Sequence, residues 1–127
     1  MLKSHPFLFF CLFLFSCSST FTKKPYEDSL EDLLKGFKID LDRCYEEEWK
    51  KNPELRGALI VGWTIDSQGM VQTPHIVESN LRNPNLEACV LSRMGQWRFP
   101  EPEGKKPVVI KEHGFEFEPD DFWDKIF

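Results

Sequence analysis

The chain has 127 residues, of which 41% are hydrophobic and 29% are charged, a composition typical of a folded globular protein rather than a disordered one. Its 21 acidic and 16 basic residues give a net charge of −5. Because nucleic-acid binding depends on a basic surface, this balance argues against phosphate backbones and anionic lipid head groups as partners. We therefore expect one domain that binds no nucleic acid.

The first 17 residues have the pattern of a bacterial secretory signal. Lys3 precedes an apolar run from Phe7 to Phe15, which would span only about 14 Å as a helix against about 30 Å for a bilayer core. The tetrad from Leu14 to Cys17 resembles the lipobox of bacterial lipoproteins. This resemblance implies that residues 1–16 are removed and that Cys17 carries a lipid. The alternative is a plain cleavable signal, because Phe15 departs from the small or modest aliphatic residues usual at its position.

The lipoprotein resemblance also implies a location outside the cytoplasm. Ser18 follows the lipidated cysteine where an Asp would favour retention at the inner membrane, so we expect anchoring to the outer membrane, facing the periplasm. Residues 17–25 then form the lipidated cysteine and a short polar tether, which reaches at most about 29 Å.

Two cysteines, Cys44 and Cys89, remain once the signal is removed and Cys17 is lipidated. In an oxidising compartment an isolated pair is most simply a disulfide. A zinc site that adds His75 and His113 is the alternative, but the spacings match no compact zinc motif. We expect no metal and no cofactor.

A long amphipathic helix is predicted from Ser29 to the Asn52-Pro53 stop. Its apolar stripe consists of Leu30, Leu33, Leu34, Phe37, Leu41, Cys44, Tyr45 and Trp49. Ser29 and Asp32 resemble a capping box. Gly36 costs about 1 kcal/mol inside a helix, so two helices that meet there are the alternative.

A hairpin is predicted after this helix. Residues from Arg56 to Ile65 alternate, which places Leu59, Val61, Trp63 and Ile65 on one face of a strand. Asp66-Ser67-Gln68-Gly69 is typical of a type I turn. The return strand runs from Met70 to Ser79, and Pro74 within it predicts a bulge or a locally unpaired edge.

A second helix and a third strand complete the predicted domain. Asn83-Pro84 is a helix start, and residues from Pro107 to Phe117 form a strand with Val109, Phe115 and Phe117 on one side. The order α-β-β-α-β predicts an α+β fold in which two helices pack on a three-stranded antiparallel sheet.

Several motifs along residues 37–117 resemble the carboxy-terminal domain of TonB-like proteins, and most closely the AgmX/PglI carboxy-terminal subgroup. They are Cys44-Tyr45-Glu46, Asn52-Pro53-Glu54-Leu55-Arg56-Gly57, Ile65 to Gly69, Leu86-Glu87-Ala88-Cys89-Val90 and Trp97-Arg98-Phe99-Pro100. The resemblance implies the same α/β arrangement, with a domain over residues 26–118 and the two cysteines placed to pair. The last strand departs from the family, which usually has Tyr-Pro-Phe-x-Phe where this chain has His113-Gly114-Phe115-Glu116-Phe117.

The sequence contains no catalytic spacing, nucleophile elbow or phosphate-binding loop. We therefore expect a protein that is not an enzyme and has no small-molecule substrate. Trp97 and Phe99 are interpreted as core residues rather than a ligand surface, with Arg98 in solvent.

The predicted function is a lipid-anchored interaction module of the cell envelope that binds a protein partner by strand addition. The predicted partner-binding residues lie on the last strand and are Val108, Ile110, Glu112, Phe115 and Phe117. One alternative is a component of a TonB-type transport or gliding-motility machine, although the short tether argues against force transmission across an envelope. The other is a stand-alone structural lipoprotein.

The segment of residues 119–127 is an acidic and aromatic tail. Its large apolar residues, Phe122, Trp123, Ile126 and Phe127, would share one side of a short helix. This pattern predicts that the tail docks on its own domain, on the sheet face that the helices leave open. The alternative is a peptide presented to a partner.

Overall fold

The computed structural model describes residues 26–119, and a single long helix, α1 (Tyr26–Lys51), opens this range. Glu27 and Asp28 lie in its first turn and Lys50 and Lys51 in its last, as the helix dipole favours. The helix begins three residues before Ser29, so the predicted capping box does not form its start. It also continues through Gly36, so the two-helix alternative is wrong. The predicted signal, Cys17 and the tether lie outside the described residues.

The remaining elements build the predicted fold. Strands β1 (Gly57–Ile65), β2 (Val71–Ser79) and β3 (Val108–Phe117) form one antiparallel sheet in the order β2-β1-β3. Helix α2 (Pro84–Met94) lies between β2 and β3 in sequence, and a 3₁₀ turn (Glu103–Lys105) precedes β3. The predicted α+β arrangement of two helices and three antiparallel strands is confirmed.

The hairpin turn forms as its residues predict. The Asp66 carbonyl accepts from the Gly69 amide at 3.0 Å, and the Asp66 carboxylate accepts from the Gln68 and Met70 amides, each at 2.9 Å. These backbone hydrogen bonds, that of Met70 first, lower the pKa of Asp66 below its ordinary value. Gly69 has a φ of 82°, a left-handed conformation that favours glycine.

Strand β2 is irregular where Pro74 predicts it to be. The pairing with β1 shifts between Gly62 and Thr64, where Pro74 cannot donate to the ladder, and Thr73 has a φ of 48°. A second shift lies between Ile60 and Val61. The predicted bulge is confirmed, and β2 is an edge strand.

Strand β3 also contains an irregularity, which the sequence analysis missed. Its pairing with β1 shifts between Val61 and Trp63, which pair with His113 and Ile110. The extra residue changes the face on which the first part of the strand lies. Val109 is therefore 62% exposed, and its predicted position beside Phe115 and Phe117 is wrong.

The core lies between the helices and one face of the sheet. The four β1 residues predicted on one face, Leu59, Val61, Trp63 and Ile65, are at most 1% exposed. Phe37 of α1 stacks on Trp97 with ring centroids 4.5 Å apart, and Phe99 lies edge-on to Phe37 at 5.4 Å. Trp97 and Phe99 are buried while Arg98 is exposed, so their interpretation as core residues is confirmed.

The two helices are joined covalently. Cys44 of α1 and Cys89 of α2 form a disulfide with their Cα atoms 5.9 Å apart, as predicted for this pair. The zinc alternative is excluded, because the bridge leaves no thiolate for a metal.

Candidate functional site

A groove runs between α1 and the carboxy-terminal half of β3. Its volume is about 560 Å³, and it is open to solvent along its length. The lining residues are Glu31, Leu34, Lys35 and Lys38 from the helix and His113, Gly114, Phe115 and Glu116 from the strand. Leu34 and Phe115 are buried and belong to the core, whereas Lys35 and Glu116 are exposed. The groove thus has an apolar floor and charged rims.

His113 forms part of the groove wall and is packed between two aromatic rings. Its ring centroid lies 4.8 Å from that of Phe115 and 6.1 Å from that of Trp63. Burial lowers the pKa of His113 below its ordinary value, and the nearby Glu31 carboxylate acts in the opposite direction. The neutral imidazole is therefore favoured near pH 7, where it can both donate and accept a hydrogen bond.

Lys38 is the last of the α1 residues that line the groove. Its ammonium group pairs with the Asp42 carboxylate four residues further along α1. The same nitrogen lies 4.7 Å from the centroid of the Phe117 ring, within the range of a cation–π contact. The last residue of β3 consequently lies beside the groove end that Lys38 forms.

Some main-chain N–H and C=O groups of β3 point to its outer side, away from β1. The Ala58 carbonyl accepts from the Asn80 amide at 3.3 Å, and the Ala58 amide donates to the Asn80 side chain at 2.8 Å, so the polar groups of Ala58 face β2. Because these groups alternate along a strand, those of the neighbouring Leu59 face β3 and pair with Phe115. The N–H and C=O groups of Gly114 and Glu116 therefore point away from the sheet.

Among residues 26–119, no strand pairs with the outer side of β3. Its open groups lie beside the groove, so an extended segment placed there could bond to the main chain and bury apolar side chains at the same time.

The opposite edge of the sheet is less accessible to a partner strand. Pro74 and two register shifts interrupt β2. At the start of β2, Met70 pairs with Arg98 in an isolated bridge, and the Phe99 amide donates to the Gly69 carbonyl at 2.9 Å. The chain thus covers part of this edge itself, and bulges and proline are devices by which proteins block edge pairing.

The predicted partner-binding residues need revision in the light of this geometry. The side chains of Phe115 and Phe117 are 4% and 0% exposed, so they belong to the core. By the same alternation, the main-chain groups of these two residues and of Val108 and Ile110 face β1. Glu112 is exposed and lies at the bulge. That β3 is the binding edge stays a prediction.

The contacting residues that the geometry favours are Gly114 and Glu116 together with the α1 side of the groove. Sequence analysis missed the contribution of Leu34, Lys35 and Lys38, since the helical stripe indicates only that Leu34 is buried. No pattern along the chain signals which strand lies beside that stripe.

A second, smaller cavity of about 370 Å³ lies over the disulfide. It is lined by Arg43, Cys44, Glu46, Glu47, Cys89 and Arg93. Arg93 already pairs with Asp40 at 3.4 Å, and the lining carries charges of both signs, so the cavity has no clear preference for a charged ligand.

The described part of the chain contains neither a candidate metal cluster nor a candidate membrane span. Within residues 26–119, no group of three or more His, Cys, Asp or Glu side chains is placed to hold a metal ion. In the same range, no helix has both the length and the apolar character needed to span a membrane.

Comparison with solved structures shows a similarity in fold. No family model matches the chain, and no curated protein matches it. The fold is similar to the NMR solution structure of the Helicobacter pylori TonB-CTD (residues 179-285), with 15% sequence identity and a TM-score of 0.46. The match covers 76% of this chain and 96% of that chain. Similarity at this level supports no argument about function.

Proposed function

We propose that this chain is a non-enzymatic interaction module of the bacterial cell envelope, anchored to a membrane by a lipid on Cys17. It binds a protein partner that adds a strand to the outer edge of β3. The proposal takes its location from the signal sequence and its binding mode from the geometry of the domain.

The open edge of β3 is the observation that carries this function. Gly114 and Glu116 direct main-chain groups away from the sheet, and an apolar-floored groove of about 560 Å³ lies beside them. Main-chain bonds supply affinity in strand addition, and pockets for alternate side chains supply specificity. The β3 edge offers both, whereas β2 is interrupted by Pro74 and is partly covered at Met70.

The disulfide supports an exported location. Structural disulfides persist in oxidising compartments such as the periplasm and are rare in the cytosol. Cys44 is 2% exposed and forms part of the core cluster, which is typical of a bridge with a structural role. The sequence resemblance to TonB-like and AgmX/PglI carboxy-terminal domains agrees with an envelope module.

Replacing Gly114 with Pro is expected to weaken partner binding by about 5- to 150-fold. The change removes the outward N–H and leaves one partner carbonyl unsatisfied, at a cost of about 1 to 3 kcal/mol. Gly114→Ala is the matched control: it keeps the N–H, and its added Cβ would meet nothing within 4 Å. Partner captured from detergent-solubilised envelopes by the immobilised full-length protein is quantified for all three forms.

Folding of both variants is checked by circular dichroism. We expect the alanine form to capture as much partner as the native form. Equal capture by the proline form would place the interface elsewhere than the β3 edge. Equal losses in both variants would show that added bulk at this position, rather than the missing N–H, is responsible.

Lipidation is tested by growth with labelled palmitate. The native chain should incorporate the label during expression in a bacterial host, and Cys17→Ala should incorporate none. Cys17→Ala should also leave the membrane fraction, because its apolar anchor is lost. Incorporation of equal label into both forms would contradict the lipobox interpretation and favour a plain cleavable signal.

A further inference from the structure

The outer side of β3 carries no paired strand among residues 26–119. The predicted docking of the tail depends on residues 120–127, which lie outside this range, and it stays a prediction. A strand that adds to this edge follows the pleat of β3, so its alternate side chains lie on two different surfaces. One surface is the groove beside α1, on the side where Phe115 and Phe117 are buried. The other is the open face of the sheet, to which Gly114 and Glu116 belong.

The α1 side of this edge has an apolar floor and a basic rim. Leu34 and Phe115 form the floor and are 7% and 4% exposed. Lys35 lines the rim with a side chain that is 78% exposed, and the Lys38 ammonium lies 4.7 Å from the centroid of the Phe117 ring. An apolar partner side chain beside Phe115 is therefore favoured, whereas a cation there would meet two lysines.

Glu31 is the acidic α1 residue of the groove, and it lies at the end farther from Lys38. Its carboxylate acts on the His113 imidazole, whereas Lys38 lies beside Phe117. Helix α1 and strand β3 thus run in the same direction along the groove. The lysines accompany the last residues of β3, and the glutamate accompanies the residues before them.

The open side of the same edge is acidic. Glu116 pairs with Ala58 of β1, and Glu78 of β2 lies in the next row, opposite Ile60. Both glutamates are exposed, and no basic side chain within residues 26–119 forms an ion pair with Glu116. Gly114 leaves the neighbouring space open, because a Cβ built there meets nothing within 4 Å. A basic side chain on an added strand can therefore pair with Glu116 across the two strands.

We propose that the partner segment carries an apolar residue next to a lysine or an arginine, in phase with these two surfaces. The apolar side chain enters the groove beside Phe115, and the basic side chain lies on the open face beside Glu116. This inference rests on the proposed strand addition and specifies which strands can add. A segment with an acidic residue beside Glu116 is disfavoured by like-charge repulsion.

Two synthetic peptides test the charge preference. They are Thr-Ser-Arg-Val-Arg-Ser-Thr and Thr-Ser-Glu-Val-Glu-Ser-Thr, both acetylated and amidated, and each reads the same in both directions, so parallel and antiparallel addition are covered equally. Each is titrated into the full-length protein in a neutral detergent, and the NMR shifts of the Gly114 and Glu116 amides give the dissociation constant. The arginine peptide should bind the native protein about threefold or more tightly than the glutamate peptide, and Glu116→Lys should reverse this order.

Glu47→Lys is the matched control for the charge reversal. It makes the same change of charge at an exposed α1 position that lines the cavity over the disulfide rather than the groove. This variant should keep the native order of the two peptides. Replacing the valine of the arginine peptide with serine should weaken its binding to the native protein by about threefold or more, because the groove floor then loses its apolar contact.

The same preference in Glu116→Lys and Glu47→Lys would show that net charge rather than Glu116 selects the peptide, and it would overturn the proposal. Equal binding of the arginine and glutamate peptides to the native protein, an unchanged affinity of the serine peptide, or no shift of the Gly114 and Glu116 amides with either peptide would overturn it as well. None of these outcomes decides strand addition itself, which the capture of envelope partner by Gly114→Pro tests separately.

Discussion

Removal of the disulfide, by Cys44→Ala together with Cys89→Ala, is expected to lower the free energy of unfolding by about 4 kcal/mol. The bridge closes a loop with a sequence separation of 45 residues, and the chain-entropy model gives about this value for such a loop. The same bridge fixes α1 to α2 across the core. A loss of this size is a large part of the stability of a domain with this length.

Chemical denaturation at constant temperature measures this loss, and thermal unfolding should show a decrease in Tm of about 15 to 30 °C. Reduction of the native protein by a thiol should reproduce the effect, whereas the double variant should be insensitive to the thiol. Non-reducing peptide mapping of the native protein should find the linked pair. Two free thiols in protein taken from its own compartment, or a stability change below about 1 kcal/mol on reduction, would contradict the prediction.

Replacing Gly69 with Ala is expected to destabilise the domain by more than about 2 kcal/mol. The φ of 82° is unfavourable for a residue with a Cβ, by about 1 to 2 kcal/mol. A Cβ built there would also lie 2.0 Å from the Phe99 carbonyl oxygen, so the backbone of one segment has to move. Such a shift would weaken the 2.9 Å hydrogen bond from the Phe99 amide to the Gly69 carbonyl.

Gly36→Ala is the matched control for this change. A Cβ at Gly36 meets nothing within 4 Å, and the position lies inside α1, so alanine should stabilise the helix by about 1 kcal/mol. The two alanine substitutions thus have opposite expected signs in the same urea titration. A Gly69→Ala protein as stable as the native form would show that the turn does not need its left-handed glycine.

Several elements were predictable because their chemistry is local. Asn83 accepts from the Leu86 amide at 2.9 Å, as expected of an N-cap before Pro84. The Asp66 turn and the interruption at Pro74 likewise depend on residues within a few positions of each other. The alternation along β1 identified its buried face, because only one face of that strand contacts the helices.

The binding edge was predictable only in part. The sequence identified β3 as the strand to examine, yet it assigned Phe115 and Phe117 to a partner although both lie in the core. It also placed Val109 on the wrong face. The error at Val109 comes from the register shift between Val61 and Trp63. That shift belongs to a pairing between segments about 50 residues apart, and period-2 patterning within β3 alone does not show where an extra residue enters.

The sequence by itself determined the order of elements, the hairpin turn and the cysteine pair, each of which follows from neighbouring residues or from composition. Only the tertiary structure decided which sheet edge is left open by residues 26–119, and that α1 lies beside it to form a groove. The reason is that residues from two separate elements, α1 and β3, form the groove together. Leu34 and Phe115 each follow the pattern of an ordinary core residue, and only long-range packing brings them together beneath the outward main-chain groups of Gly114 and Glu116.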